Sequence, residues 1–575
     1  MTETILDRLL QHASATPNKV AYRFLMDGEN ESDVVTFAQL RDRVAAVSGL
    51  LLASGLSAKR VVVSYPFGID FIYAFLGCLM AGAIPMPIAL PRPNRPNDHL
   101  SHIIKFSAPE AGLTTASILS GTLSKIEPDT PLRQLPWIAT DRPLPHTPVP
   151  PISNNGQHPA LIQFSSGSTS MPKGIVIGHD NIMANQAMIQ TAFGHHRDSQ
   201  GIGWLPMYHD MGLIGNVLQC IYVGYTMTFL PPVIFIQKPI RWLQAISKYH
   251  GTSSGGPNFA YAHCVKRIAE TECEGLDLRS WDLAFNGAEP IHAKTLDDFT
   301  RRFSPYGFKR SAIFPCYGLA EGTLIVSGAQ KGKGPTLLSC DADSLKSQRL
   351  HPATDTTVHR TDLVGSGQSL MNGSLRIVDP EKKTRVPDGT IGEIWISGSN
   401  VALGYWENQT LNTGPFSLTL DGEPPLYYAT GDLGAILNRE LYVTGRRKEL
   451  MIIDGKNHYP QDLELTIHSA VPVLSNHSIA VFSVPKGTSE SVIVVQEIRR
   501  PPGHNDLSEW TQQVRIALSM HHDLVLGDLV FVPIGTIEKT SSGKPKRLGC
   551  RQRYTEGQLP VFSPENAVVM AASHP

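Results

Sequence analysis

The sequence predicts an α/β protein: a large N-terminal domain of α/β sheets with a distorted β subdomain, and a small α+β C-terminal domain. Three observations predict it. The chain has 575 residues, too many for one hydrophobic core. Short apolar strands alternate with helical periodicity through its N-terminal part. After Gly445-Arg446-Arg447-Lys448 the pattern changes, as expected for a separate unit.

Residues 36 to 56 have helical spacing, with Phe37, Leu40, Val44, Val47 and Leu51 on one face. Val61-Val62-Val63 reads as a buried strand, Phe71 to Met80 as the next helix, and Ile84 to Ile88 as another strand. The alternation recurs at Ala160–Gln163, Asp282–Phe285 and Ala312–Pro315, and each of these strands is followed by a motif. Ligands of open α/β sheets bind beyond the carboxyl ends of the strands, so three motifs there predict one shared site. From Gly328 to about Leu363 the chain is polar and has no clear period, which reads as a surface loop or an insertion. From Val364 to Tyr405 glycines separate short strands, as in a distorted β subdomain. Strands at Ser478–Val484 and Ser491–Ile498, with a helix from Leu507 to Met520, predict an α+β domain from about residue 449 onward.

Composition excludes several classes. Hydrophobic content of 41% and charged content of 18% describe an ordinary soluble globular protein. A net charge of −1 gives no general attraction to nucleic acid or anionic membrane. The cysteines Cys78, Cys220, Cys264, Cys273, Cys316, Cys340 and Cys550 are scattered and odd in number, which argues against a disulfide framework or zinc site and fits a reducing cytoplasm. The first residues lack a signal-peptide pattern. The most apolar stretch, Phe71 to Leu90, is broken by Gly77, Gly82, Pro85 and Pro87, and its uninterrupted part falls short of the ~20 residues that span a bilayer.

Between Phe164 and Gly174 the chain reads Phe-Ser-Ser-Gly-Ser-Thr-Ser-Met-Pro-Lys-Gly. Glycine lets backbone approach a ligand. Hydroxyls and backbone N–H groups donate to phosphate oxygens, and Lys173 adds a charge. It is not a Walker A loop, because Pro172 precedes the lysine. Taken by itself the stretch also fits a flexible surface loop. Further along stand Asn286-Gly287-Ala288-Glu289-Pro290, Tyr317-Gly318-Leu319-Ala320-Glu321, Tyr428-Ala429-Thr430-Gly431-Asp432-Leu433, Gly445-Arg446-Arg447-Lys448-Glu449 and Lys539-Thr540-Ser541-Ser542-Gly543-Lys544.

These six motifs, in this order, resemble the core motifs of the adenylate-forming superfamily of acyl-CoA synthetases, luciferases and peptide-synthetase adenylation domains. The resemblance implies ATP-dependent activation of a carboxylic acid to an acyl-adenylate with release of pyrophosphate. It implies that Ser165, Ser166, Gly167, Ser168, Thr169 and Lys173 hold the β- and γ-phosphates, and that Glu321 helps hold Mg²⁺. Asp432 and Arg446 would reach the ribose. Gly287, Ala288 and Glu289 would pass beside the adenine, on which Tyr317, followed by Gly318, would stack. Lys544 would touch both the carboxylate and the α-phosphate as the catalytic lysine, and Lys448 would be the hinge about which the C-terminal domain swings. The implied boundaries are 1–445 for the N-terminal domain, with the phosphate loop at 164–174, the insertion at about 328–363 and the β subdomain at about 364–445; 446–448 for the hinge; and 449–575 for the mobile domain.

Three departures from the general pattern resemble one branch, the fatty acyl-AMP ligases. They are Ser170 at a usual glycine, the run Asp454-Gly-Lys-Asn-His-Tyr-Pro-Gln-Asp-Leu-Glu464, and the run Gly203-Trp-Leu-Pro-Met-Tyr-His-Asp-Met-Gly-Leu-Ile-Gly215. The polar segment after Gly328 sits where that branch carries its insertion. This resemblance implies a fatty acid substrate, with Trp204 and His209 bordering the acyl pocket. It also implies delivery of the acyl group to the phosphopantetheine of a separate acyl carrier protein rather than to coenzyme A. Two other readings stay open: an ordinary acyl-CoA ligase, and a non-catalytic nucleotide- or lipid-binding protein.

Overall fold

The computed structural model describes residues 3–91, 97–150, 158–165, 172–370, 373–407, 412, 414–420, 423–453, 456–486, 489–501, 503–540 and 544–562. Two sheets of the N-terminal part follow the predicted α/β alternation. A four-stranded parallel sheet is ordered Ile84–Pro87, Arg60–Val63, Ala111–Thr114, Trp137–Ala139. Beside it lies a nine-stranded sheet whose centre is Ile313–Gly318, Leu283–Asn286, Ser253–Gly256, Gln200–Gly203, Thr226–Phe229, Val20–Phe24, all parallel. Helix Phe37–Ala53 is capped by Thr36, whose hydroxyl and backbone exchange hydrogen bonds with Gln39. It packs against the apolar helix Ile69–Met80, whose buried Phe71, Phe75 and Leu79 belong to the main core.

One predicted strand belongs elsewhere. Pro159–Ser165 pairs antiparallel with Lys173–Gly178, so the expected phosphate loop joins two strands of a hairpin rather than a strand to a helix. Residues 166–171, and with them Ser166, Gly167, Ser168, Thr169 and Ser170, lie outside the described residues. Leu283–Asn286 and Ile313–Gly318 are adjacent and parallel, as the shared-site argument needs.

The segment after Gly328 is not a structureless loop. Leu337–Asp341 pairs antiparallel with Arg360–Val364, and the short helix Ala342–Lys346 stands between them. Its one covered side carries Cys340, Leu345 and Leu350 into a cluster with Leu433, Ala435, Tyr442 and Tyr459. Exposed positions and polar residues outnumber these, and that hides the period. The β subdomain that follows is a six-stranded antiparallel sheet built around Ser374–Asp379, Gly392–Ser397, Glu423–Leu437 and Glu440–Arg446. Beyond it a three-stranded sheet, Ile479–Lys486, Ser489–Ile498 and Leu526–Pro533, packs with helices Pro460–Ala470, His504–His522 and Arg547–Thr555 around cores of its own.

Candidate active site

A cavity of about 280 Å³ is lined by residues from the nine-stranded sheet, the Pro159–Gly178 hairpin, the β subdomain and the C-terminal part. It gathers Lys173, Gly287, Ala288, Tyr317, Gly318, Glu321, Asp432, Arg446, Lys448, His209 and Lys544, which stand far apart in the sequence.

Sheet geometry brings these groups together. Gly287 follows the strand Leu283–Asn286 and Tyr317 lies near the end of its parallel neighbour Ile313–Gly318, so both stand at one end of the sheet. The strand beside Gly287 demands a glycine there, because a β-carbon would lie 2.9 Å from the Cys316 carbonyl oxygen. Gly318 is more tightly confined, with a β-carbon only 1.9 Å from the Leu324 carbonyl oxygen. Asp432 and Arg446 are register partners on adjacent antiparallel strands, and this cross-strand position forms their ion pair, Arg446 Nε to Asp432 Oδ1 at 3.1 Å. The Tyr317 hydroxyl donates to the other carboxylate oxygen of Asp432 at 2.8 Å. Asp432 is therefore held on both sides.

Glu321 accepts from the Tyr405 hydroxyl at 2.8 Å, and Tyr405 in turn lies 2.9 Å from the Tyr428 hydroxyl. Lys173 faces the Tyr405 ring, its Nζ 4.7 Å from the centroid. Burial pushes the Lys173 ammonium below its ordinary pKa, Lys448 adds to the effect, and Glu321 opposes it. Ser165 is register partner to Lys173 across the hairpin. Lys544 is held against Thr540 beside the bridge Lys539–Pro545: Thr540 N–H donates to the Lys544 carbonyl at 2.7 Å, and Lys544 N–H donates to Thr540 Oγ1 at 3.0 Å. Burial and then the Arg446 charge lower the Lys544 pKa, while Asp432, Glu289 and Glu449 hold it up. A desolvated ammonium of this kind favours an incoming anion.

His209 and Asp210 form a close pair, Nδ1 to Oδ1 at 2.5 Å. Burial alone would push His209 down, but the Asp210 carboxylate overrides it and raises the imidazole above its ordinary value. Gln163 Nε2 donates to the Tyr208 carbonyl at 3.0 Å, which ties the start of this loop to the hairpin. The apolar wall of the cavity includes Ile189, Phe193, Phe285, Leu324 and Ile325, with Phe193 stacked on Phe285 at 5.8 Å.

Two expected site residues sit elsewhere. Trp204 does not line this cavity. It is 3% exposed, stacks on Phe235 at 4.1 Å, and meets Trp242 and Phe259 edge-on. Glu289 does not line it either: its carboxylate accepts from the Phe259 N–H at 2.6 Å, at the start of helix Asn258–Arg267. An acidic group suits a helix N-terminus, and that use turns it from the cavity wall. Sequence reading missed Tyr405, Tyr428, Gln163 and Asp210. Asp210 and Tyr428 had a signal, their places in the quoted motifs; Tyr405 reaches Glu321 through folding alone.

Comparison with known proteins places this geometry. Residues 9–406 match the family described as AMP-binding enzyme, and residues 448–563 match the AMP domain described as Disco-interacting protein 2-like. The chain is 36% identical to a medium-chain-fatty-acid–acyl-carrier-protein ligase of Moorena producens, over 97% of this chain and 96% of that protein. It is 32% identical to a long-chain-fatty-acid–AMP ligase of Mycobacterium marinum, over 95% of this chain and 96% of that one. Among solved structures it is similar to a fatty acyl-adenylate ligase of Legionella pneumophila in complex with acyl adenylate and pyrophosphate. There the TM-score is 0.74, the identity 33%, and the coverage 98% of both chains.

Proposed function

The chain belongs to the AMP-binding enzyme family, and on that premise we propose that it activates a fatty acid with ATP to an acyl-adenylate, releasing pyrophosphate, and passes the acyl group to the phosphopantetheine thiol of a separate acyl carrier protein. One observation carries the reading: Lys173, Asp432, Arg446 and Lys544 share a single cavity with an apolar wall of Ile189, Phe193 and Phe285. Cationic and ribose-type polar groups suit a nucleotide, and the apolar wall suits an acyl chain.

The reaction brings a carboxylate against a phosphate, so positioning and charge neutralisation supply most of the catalysis. Asp432 accepts from the ribose hydroxyls, with Tyr317 and Arg446 holding its two oxygens in place. Tyr317 packs against the base. Lys173 and the hydroxyls of the 164–174 loop take the β- and γ-phosphates. Lys544 bridges the attacking carboxylate and the α-phosphate, where its charge is most effective as negative charge shifts in the transition state. His209, held by Asp210, faces the same space and orients the acid. Mg²⁺ fits this donor set: Glu321 offers a hard carboxylate oxygen, and this cation takes one or two carboxylates together with substrate phosphates. Bound there, it would neutralise charge on the phosphates.

The hairpin segment between residues 328 and 363 supports the carrier protein over coenzyme A as acceptor. Its Leu345 and Leu350 share a cluster with Tyr459, and Lys346 reaches Asp523 at 3.3 Å, so it braces the C-terminal part in the orientation that places Lys544 in the cavity. The domain limits given above and a cytoplasmic location complete the proposal; no described helix is long and apolar enough to cross a membrane.

The test is product analysis by mass spectrometry with ATP, Mg²⁺, fatty acids of medium to long chain, and either coenzyme A or a phosphopantetheinylated carrier protein. Acyl-adenylate and acyl-carrier product are expected without acyl-CoA, and Lys544→Ala should lower adenylate formation at least ~100-fold. Acyl-CoA as the main product would make the protein an ordinary acyl-CoA ligase. Binding of ATP and acid without pyrophosphate release would leave a non-catalytic binding protein.

A further inference from the structure

Arg547 opens the helix Arg547–Thr555, three residues after Lys544. Its guanidinium makes three hydrogen bonds of 2.7 Å: Nε and Nη2 to the two oxygens of Glu464, and Nη1 to Glu449 Oε2. All three side chains are nearly buried, at 14%, 12% and 10% exposure. A planar fork with two carboxylates at this spacing is a rigid, directional joint. Glu464 lies on helix Pro460–Ala470, where Oε1 also accepts from the Val481 N–H at 3.2 Å, so that end of the joint is fixed within the C-terminal part. Glu449, by contrast, belongs to the short turn Arg447–Glu449 that connects the two parts of the chain.

The residues just before it are held to the other side. Arg446 pairs with Asp432, and Arg447 Nη1 lies 3.8 Å from the buried carboxylate of Glu393; both partners stand on strands of the β subdomain. The side-chain ion pairs thus change sides between residue 447 and residue 449, while Leu450 N–H still donates to the Arg446 carbonyl at 3.0 Å. Only Lys448 lies between, and its side chain is exposed. On the far side, Lys546, which immediately precedes Arg547, joins the segment around Lys544 to the start of the helix: its N–H donates to the Glu538 carbonyl at 2.8 Å and its carbonyl accepts from the Cys550 N–H at 3.0 Å.

We infer that Arg547 is a positioning residue: it makes Glu449 and the segment around Lys544 one rigid body, so that a rotation confined to Lys448 is transmitted to Lys544 without loss. This rests on the proposed role of Lys544. A misplacement of about 1 Å in such a group costs on the order of 100-fold in rate, which sets the size of the effect.

Glu449→Gln is the variant of choice, because it weakens the joint to the connecting turn and leaves the two-oxygen pair of Arg547 with Glu464 in place. Arg547→Lys, which keeps the charge and loses the fork, is the second. Pyrophosphate release, the KM for ATP, the thermal midpoint and hydrogen–deuterium exchange over 538–547 are measured for both. The expected result is a fall in kcat of about 100-fold with a KM for ATP within about twofold of the parent, the signature of lost transition-state positioning rather than lost binding. Exchange over 538–547 should quicken while exchange over the strand Ser489–Ile498 stays unchanged. An unchanged kcat in both variants overturns the inference, as does a loss that appears equally in kcat, ATP KM and thermal midpoint. If the parent protein releases no pyrophosphate with any fatty acid, the proposed function fails. The exchange comparison then judges the joint by itself, and unchanged exchange over 538–547 overturns it.

Discussion

At the scale of single residues, side-chain direction separates the site from its surroundings. Trp204 and His209 stand five positions apart in one motif, yet His209 lines the cavity and Trp204 is enclosed by Phe235, Trp242 and Phe259. Gly256 makes room for the indole, since a β-carbon there would lie 2.6 Å from it. Trp204→Ala should cost about 3–5 kcal/mol in a denaturation experiment, the range for emptying a large aromatic site. Trp204→Phe, which keeps most of the packing, should leave the preferred acyl chain length unchanged, and a shifted chain-length profile would return Trp204 to the substrate pocket. Lys173, Asp432 and Lys544 were named through the resemblance of the motifs that hold them, and the fold brings all three to one cavity. Tyr405 was not: a tyrosine that donates to Glu321 looks like any core tyrosine until the chain folds.

At the scale of elements, strand and helix positions followed from apolar spacing where a segment buries much of its length. Phe37–Ala53, Arg60–Val63 and Ile69–Met80 came within a few residues of expectation, because one buried face gives the first its helical period and near-complete burial gives the other two continuous apolar runs. The hairpin Leu337–Asp341 with Arg360–Val364 escaped because each strand buries a single residue, Cys340 and Val364, too few to set up an alternation. The strand expected at Ala160–Gln163 is present as Pro159–Ser165, but it pairs in an antiparallel hairpin rather than in the α/β sheets, since pairing is not written in a strand's own residues. Removal of residues 328–363 tests what the hairpin does. With coenzyme A present, the shortened protein should form acyl-CoA detectable by mass spectrometry. If acyl-CoA remained absent and adenylate formation were normal, the hairpin would have no part in choosing the acceptor.

At the scale of the whole molecule, the cavity exists only because parts far apart in the chain are braced against one another, and one half-buried acid in the C-terminal part makes stability depend on pH. Asp462, in the first turn of helix Pro460–Ala470, is pushed up to about 7 by burial, with Glu464 adding to it. The folded protein therefore holds this proton more tightly than the unfolded chain, whose carboxyl titrates near the ordinary 3.8. Stability from this group is full below the lower value and is lost as pH rises towards about 7. Asp462→Asn removes the charge, so its thermal midpoint relative to the parent should be higher at about pH 8 than at about pH 5. An equal difference at both would show that Asp462 ionises freely in the fold. The amino-acid sequence by itself determined the family and the fold class, because the six ordered motifs carry the one and the apolar spacing of buried strands and helices carries the other. Only the tertiary structure decided which side chains meet: the Asp432–Arg446 pair by strand register, the Tyr405–Glu321 contact across the cavity, the burial of Trp204, and the joint of Arg547 with Glu449 and Glu464. Those contacts join residues that are distant in sequence, and their geometry is set by packing between elements rather than by any local pattern.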